Sequence, residues 1–240
     1  MKKIIIANWK MNPDTELEAV SLTQKIDSEN LIIAPPYPFL GAVRKSQKLS
    51  KLGAQDVFWE AKGAYTGEVS VTQLKSLGVQ YIVLGHSERR ILGETNDAVV
   101  KKVKAVVSLG LIPVICIGDG LSDKIAGRSE VAVMDQLMPT IEALKSFKSG
   151  KIIFAYEPVW AISTQKDAKP DNPENARNMI LKIKNKVLDE GLKGLEFHFI
   201  YGGSVNGLNA GGFLKYDEIE GALVGGASLK PDELTRILKI

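Results

Sequence analysis

Three side chains suited to acid–base or charge chemistry each follow a short apolar run. Lys10 lies in Ala-Asn-Trp-Lys-Met-Asn, His86 in Gly-His-Ser-Glu-Arg-Arg and Glu157 in Ala-Tyr-Glu-Pro-Val-Trp. A histidine suits proton transfer near neutral pH, and a lysine after an apolar strand can hold an anionic substrate by charge. A carboxylate between aromatic and proline residues is partly desolvated, which strengthens it as a base.

Each of these residues also has a plainer interpretation. Lys10 fits a solvated lysine at a strand end, and His86 fits a histidine that satisfies loop backbone. Glu157 fits a carboxylate paired with a nearby arginine or lysine. The other histidine of the chain, His198, has a phenylalanine on each side inside an apolar run, so we expect it to be structural.

Two later apolar runs end in paired glycines, Gly202-Gly203 followed by Ser204, and Gly225-Gly226. Paired glycines let backbone N–H groups point at an anion, although turns use glycine everywhere and each pair alone is a weak signal. These two runs are the seventh and eighth of the eight strands predicted below, and in a (β/α)8 barrel the loops after strands 7 and 8 often bind phosphate. Together with the candidate base Glu157, the candidate acid His86 and Lys10, the two glycine pairs predict proton abstraction next to a carbonyl of a phosphorylated substrate. The chain carries no recognisable metal-ligand cluster.

Eight short runs have the apolar, β-branched character of strands. They are Ile4–Ala7, Leu31–Ala34, Gly53–Val57, Tyr81–Leu84, Ile112–Ile117, Ile152–Tyr156, Phe197–Tyr201 and Ile219–Val224. Most are continuous rather than alternating, which is typical of a parallel sheet covered on both faces.

The segments between these runs have helical patterns. A valine stripe over 99–107 ends at Gly110, Asn172-Pro173 supplies an N-cap and a first-turn proline, and Pro231 opens a last helix. Eight strand–helix units in 240 residues predict a closed (β/α)8 barrel, a single domain over residues 1–240. An open doubly wound sheet is the competing fold, but its usual G-x-G-x-x-G pattern is absent.

Composition narrows the class of protein. A 45% apolar content can fill a large core without staples, and the net charge of +3 is spread without a basic block, which argues against nucleic-acid or membrane-surface binding. The single cysteine, Cys116, excludes an intramolecular disulfide and a Cys-x-x-Cys metal site. The apolar run Ile4–Ala7 is shorter than the roughly 7–15 residues of a secretory segment, and no run approaches the roughly 20 that span a bilayer. We therefore expect a cytoplasmic protein.

The segment after the sixth run is predicted to be a loop with unusual apolar residues. Exposed apolar side chains on a loop suggest a lid that closes over a ligand. The predicted lid comprises Pro158, Val159, Trp160, Ala161, Ile162, Ser163, Thr164, Gln165, Lys166, Asp167 and Ala168.

Ordered motifs along essentially the whole chain resemble the triosephosphate isomerase family. They are Asn8-Trp9-Lys10-Met11-Asn12, Gly63-Ala64-Tyr65-Thr66-Gly67-Glu68, Gly85-His86-Ser87-Glu88-Arg89-Arg90, Cys116-Ile117-Gly118, Ala155-Tyr156-Glu157-Pro158-Val159-Trp160, Tyr201-Gly202-Gly203-Ser204-Val205 and Val224-Gly225-Gly226-Ala227-Ser228-Leu229. The resemblance implies the closed (β/α)8 barrel of that family, the TIM barrel.

The resemblance also implies a role for each site residue. Glu157 matches the base that moves a proton between C1 and C2 of a triose phosphate, His86 the electrophile, and Lys10 the cation that stabilises the enediolate. The implied contacts to substrate and phosphate are Asn8, Lys10, Ser163, Ser204, Gly225 and Gly226, and Ile162 and Leu223 match the apolar cover of the base. No cofactor is needed, because the hydrogen moves as a proton.

The family also implies a homodimer, in which the loop over 62–71 inserts its tip, Thr66, into the partner. The sequence departs from the family pattern at Ser163 and Gln165, where glycines are usual, and at Asp56 and Asp119, where Asn and Glu are usual. Two other functions remain open: a barrel acting on a larger sugar phosphate, which the short loops argue against, and a non-catalytic binding barrel, which the intact catalytic motifs argue against.

Overall fold

A closed barrel of eight parallel strands forms the centre of the computed structural model, which describes residues 2–162 and 171–240. The strands are β1 (Ile4–Asn8), β2 (Leu31–Ala34), β3 (Lys51–Ala54), β4 (Tyr81–Leu84), β5 (Ile112–Asp119), β6 (Gly150–Pro158), β7 (Leu195–Tyr201) and β8 (Gly221–Val224). They pair in chain order, and β1 also pairs with β8, which closes the sheet. The predicted (β/α)8 barrel is confirmed.

Helices connect the strands. They are α1 (Glu16–Ile26), α2 (Leu40–Ser46), α3 (Val71–Ser76), α4 (Ser87–Ile91), α5 (Asn96–Ser108), α6 (Leu121–Ile125), α7 (Ser129–Leu144), α8 (Pro173–Asp189), α9 (Ala210–Leu214) and α10 (Pro231–Leu238). The Asn172 side chain caps α8 by accepting the Glu174 amide, and Pro173 is its first residue, as the sequence predicts. No helix within the described ranges is long and apolar enough to cross a membrane.

The apolar residues form two packed layers. A smaller cluster fills the barrel interior and includes Ile6, Val114, Cys116 and Ile200. A larger one, which includes Ile5, lies between the barrel and the helices. Because successive strand residues point to opposite faces, both faces are buried, and this explains the continuous apolar runs.

The bounds of several strands differ from the predicted ones. β2 and β4 have the predicted bounds, but β3 begins earlier, at Lys51, and ends earlier, at Ala54, and β8 begins later, at Gly221. β5 and β6 continue beyond their apolar runs, with Gly118 opposite Glu157 in the ladder. Backbone pairing, rather than side-chain polarity, sets these ends, so Glu157 lies within β6 instead of after it.

The start of the predicted lid is not an exposed loop. Pro158 is the last residue of β6, and Val159–Ala161 form a 3-10 helix. Trp160, Ala161 and Ile162 are buried, so the expectation of exposed apolar residues is wrong for these three. The physical reason is that the Trp160 indole N–H donates to Asp119 Oδ2 at 3.0 Å, which holds the segment inward. Ser163, Thr164, Gln165, Lys166, Asp167 and Ala168 lie outside the described residues.

His198 belongs to a charge cluster near the amino-terminal half of β7. Its Nδ1 contacts Glu220 Oε2, and its Nε2 lies 2.8 Å from Glu196 Oε1. The hydrogen bond to Glu220 raises the pKa of His198, and Glu196 adds to this, against opposing effects of burial and Lys151. His198 therefore does not line the cavity at the carboxyl ends of the strands, which is described below.

This cluster makes stability depend on pH. Because the folded pKa of His198 exceeds its ordinary value of 6.5, protonated His198 stabilises the fold fully below about pH 6.5 and progressively less as pH rises through the folded pKa. Urea unfolding from about pH 6 to pH 9 should therefore show His198→Gln losing most stability at the acidic end. A stability difference that stays constant or grows with rising pH would contradict this account.

Candidate active site

A cavity of about 380 Å³ opens at the carboxyl ends of the strands. Most of the predicted site residues line it: Asn8, Lys10, His86, Ile162, Ser204, Leu223, Gly225 and Gly226. Strand ends far apart in sequence meet here because all eight strands are parallel. Glu157 lines a neighbouring cavity instead, and Ser163 lies outside the described residues.

The Glu157 carboxylate is buried beside one backbone donor and the His86 imidazole. Its side chain is only 2% exposed, Oε2 accepts the Ser87 backbone N–H at 2.9 Å, and Oε1 lies 3.2 Å from His86 Nε2. The space for this side chain depends on Gly202, since a Cβ there would lie 2.8 Å from Glu157 Cγ. The structure therefore brings the predicted base and the predicted acid together.

Hydrogen bonding fixes the form of the His86 imidazole. His86 is the N-cap of α4, and its Nδ1 accepts the Glu88 backbone N–H at 3.2 Å. A ring nitrogen that accepts a hydrogen bond carries no proton, so this geometry assigns a neutral ring with its proton on Nε2. Nε2 is the nitrogen nearest Glu157, and its N–H is available as a donor.

Lys10 is held in a conformation that few residues with a Cβ adopt. Its φ is +55°, the one positive φ among the non-glycine residues of the described ranges. Its N–H donates to Asn8 Oδ1 at 3.0 Å, and its carbonyl accepts from Gln55 Nε2 at 2.8 Å. Such strain persists where the surroundings hold it, and it is characteristic of functional sites. Lys10 Nζ is ion-paired with Glu88 Oε1 at 2.6 Å.

The glycines after β8 form an open backbone cradle. Gly226 begins a 3-10 helix, and a Cβ built on it would meet nothing within 4 Å. Ser228 Oγ donates to the Gly225 carbonyl at 2.7 Å, which fixes the turn. Across the cavity, the Ser204 carbonyl accepts from Asn209 Nδ2 at 2.9 Å. This arrangement suits an anion approached by backbone N–H groups.

Sequence reasoning missed two supporting residues. Glu88 contacts both Lys10 and the His86 ring, and its place two residues after His86 was the available signal. Arg90 donates to the carbonyls of Gly85 (2.8 Å) and Cys116 (3.3 Å), which ties α4 to the end of β4 and to the middle of β5. Burial lowers the pKa of Arg90.

Cys116 lies inside the barrel and close to the base. Burial raises the pKa of its thiol, and the Glu157 carboxylate raises it further. The thiol is therefore a neutral packing group. Within the described ranges, no group of three or more His, Cys, Asp or Glu side chains is arranged to hold a metal ion.

The fold and this cavity define the class of protein: a (β/α)8 barrel whose cavity carries groups suited to proton transfer on a small anion. Comparisons identify the family. The family model described as Triosephosphate isomerase matches residues 3–240. Proteins named triosephosphate isomerase are similar along nearly their whole length: that of Dictyoglomus thermophilum is 41% identical, with 99% of each chain covered, and that of Caldanaerobacter subterraneus is 40% identical, with 99% of this chain and 98% of the relative covered.

The chain belongs to the triosephosphate isomerase family. The resemblance predicted from the ordered motifs is confirmed, and with it the prediction of a family of aldose–ketose isomerases.

The position of Lys10 generates a prediction about anion binding. Lys10→Met should weaken binding of 2-phosphoglycolate roughly 10- to 100-fold, the usual size of a lost charge-assisted hydrogen bond. Isothermal titration measures this, with Lys239→Met on the far exposed terminus as the control. Circular dichroism should remain native, because Lys10 lies at the mouth. A variant that unfolds, or that binds normally, would support the plainer role of a strand-end lysine.

Proposed function

We propose that this chain interconverts D-glyceraldehyde 3-phosphate and dihydroxyacetone phosphate through an enediolate, the step shared by glycolysis and gluconeogenesis. The observation that carries the proposal is the buried pair of Glu157 and neutral His86, 3.2 Å apart, at the edge of a cavity of about 380 Å³. Membership of the triosephosphate isomerase family supports it. Neither a larger sugar phosphate nor a non-catalytic role has a comparable observation in its favour.

The proposed chemistry uses only side chains and backbone groups at the carboxyl ends of the strands. The phosphate lies against the backbone N–H groups of Ser204, Gly225 and Gly226, and the Glu157 carboxylate removes a proton from the carbon next to the carbonyl. His86 Nε2–H donates to the developing oxyanion, a contact of a kind that contributes about 3–4 kcal/mol. This pairing of a glutamate base with a neutral imidazole is the established arrangement in triosephosphate isomerases.

Asn8, Lys10 and the apolar cover complete the proposed site. Asn8 contacts the substrate, and the Lys10 ammonium stabilises the negative enediolate. Ile162 and Leu223, which line the cavity, cover the base when the lid over 158–168 closes. Closure excludes water and protects an intermediate that otherwise loses phosphate. The Ser163 amide is the lid's proposed contact to phosphate, and no cofactor takes part.

We also propose a cytoplasmic homodimer. Met11, beside the strained Lys10, is 91% exposed, which is costly for a large apolar side chain in water. Tyr65, in the loop over 62–71, is 45% exposed, and its ring lies 4.7 Å from that of Phe58, which gives the loop a firm base. These apolar groups suit an interface with C2 symmetry, with Thr66 as the inserted tip.

The role of the base is tested by Glu157→Gln, which keeps the shape and removes the basicity. A coupled assay with glyceraldehyde 3-phosphate should show kcat reduced by about 10²- to 10⁴-fold, the usual size of a general-base effect. Binding of 2-phosphoglycolate should be largely retained, and the surface variant Glu142→Gln should match the wild type. Near-normal turnover of Glu157→Gln would remove this residue from the mechanism.

The dimer is tested by Thr66→Arg. An arginine at a packed loop tip would bury an unpaired charge, so sedimentation should show a shift toward monomer together with lower activity. Ser108→Arg, on the exposed end of α5, is the matched control and should remain dimeric. A wild-type protein that already sediments as an active monomer would refute the interface.

A further inference from the structure

A second cavity, of about 310 Å³, lies on the other side of the base. Its walls include Ser87, Arg90, Ile91, Gly118, Gln136 and Glu157, and we call it the rear chamber. No described residue lines both the rear chamber and the substrate cavity. Most residues of the substrate cavity follow β7, β8 and β1, with His86 and Ile162 on its other side, whereas the rear chamber adjoins β4, β5 and β6. Glu157 therefore stands in the wall between them.

The rear chamber has a polar lining beside the base. Ser87 is 4% exposed, and its hydroxyl has no hydrogen-bond partner among the residues that the structure describes. Glu157 Oε1 faces His86 at 3.2 Å without the alignment of a hydrogen bond, which leaves it free to accept another donor. Buried polar groups in native proteins are satisfied by protein or by ordered water. The chamber is large enough for several water molecules, and the polar groups beside the base can bind them.

The chamber also has a path to the surface. Ile91, in its wall, is 68% exposed. Arg90, Asp123 and Gln136 line both the chamber and an adjoining polar groove of about 430 Å³. Water can therefore connect the Glu157 carboxylate with solvent without passing through the substrate cavity.

We propose that the rear chamber is a water-filled route by which the hydron taken up by Glu157 exchanges with solvent. This inference rests on the proposed function, in which Glu157 is the base. In deuterium oxide the protonated carboxyl gives its proton to a chamber water and receives a deuteron from it, so that Glu157–COOH and D2O become Glu157–COOD and HOD. Charge and atoms balance, and no other reactant is required.

Exchange competes with direct return of the same proton to the neighbouring carbon of the substrate. The chamber therefore sets how much of the product carries solvent hydrogen. The Ile91 side of the chamber does not line the substrate cavity, so a change there should leave the barrier to proton abstraction largely unchanged. Blocking the chamber at Ile91 should lower the fraction of product that carries solvent hydrogen, while turnover stays largely intact.

The test is isomerisation of glyceraldehyde 3-phosphate in deuterium oxide, with NMR of C1 of the dihydroxyacetone phosphate product. Ile91→Trp places a bulky ring at the chamber mouth and should lower the deuterated fraction at least about twofold, because bridging water is displaced. The matched control is Leu92→Trp, which is 77% exposed and does not line the chamber. It should keep the wild-type fraction.

A second variant, Asp123→Leu, replaces a polar side chain at the point where the chamber joins the adjoining polar groove. It should also lower the deuterated fraction, and it keeps the inference testable if Ile91→Trp does not fold. An unchanged fraction in folded, active variants would overturn the route. Failure of the proposed function gives a different result, a wild-type chain without isomerase activity or a fully active Glu157→Gln.

Discussion

The site depends on one contact, a buried carboxylate held against an amide and an imidazole. Without a donor, burying Glu157 would be costly, and the hydrogen bond from the Ser87 N–H offsets part of that cost, while the His86 ring faces the other carboxylate oxygen. The contact requires backbones to approach closely on both sides of the base. A Cβ on Gly118 would lie 1.8 Å from the Glu157 carbonyl oxygen, and one on Gly202 would meet its side chain. Glycine at these two positions is therefore a condition for the base to be there.

A second buried carboxylate, that of Asp119, joins β6 to the 3-10 helix that follows it. Asp119 is 1% exposed and accepts hydrogen bonds from Tyr156 (2.9 Å), Trp160 (3.0 Å) and Ser129 (2.6 Å). Burial and the Asp119 charge raise the pKa of Tyr156, so it stays a neutral donor. The residues on either side of Glu157 and Pro158 are thus anchored to one group on β5, which limits how the start of the predicted lid can move.

Sequence alone predicts the barrel and most of the residues that line the substrate cavity, and the reason is topological. Continuous apolar runs identify parallel strands, and in a closed parallel barrel every residue that follows a strand is brought to the same end, as Lys10 and Gly225 are. What the sequence does not predict are contacts between residues far apart in the chain. Trp160 is buried because of Asp119, and Lys10 is paired with Glu88, 78 residues away. Neither pairing has a local pattern.

Three consecutive residues at the start of α4 position every charged group of the proposed reaction. His86 supplies the donor, the Ser87 N–H holds the base, and Glu88 does two things. Its N–H fixes the imidazole as the neutral form and its carboxylate holds the Lys10 ammonium. A small shift of α4 would therefore misplace base, acid and cation together. Arg90 opposes such a shift, because its guanidinium binds one carbonyl just after β4 and one within β5 and so ties the helix to the barrel. The precision of the site thus comes from the rigid sheet, to which one half-buried arginine ties the helix.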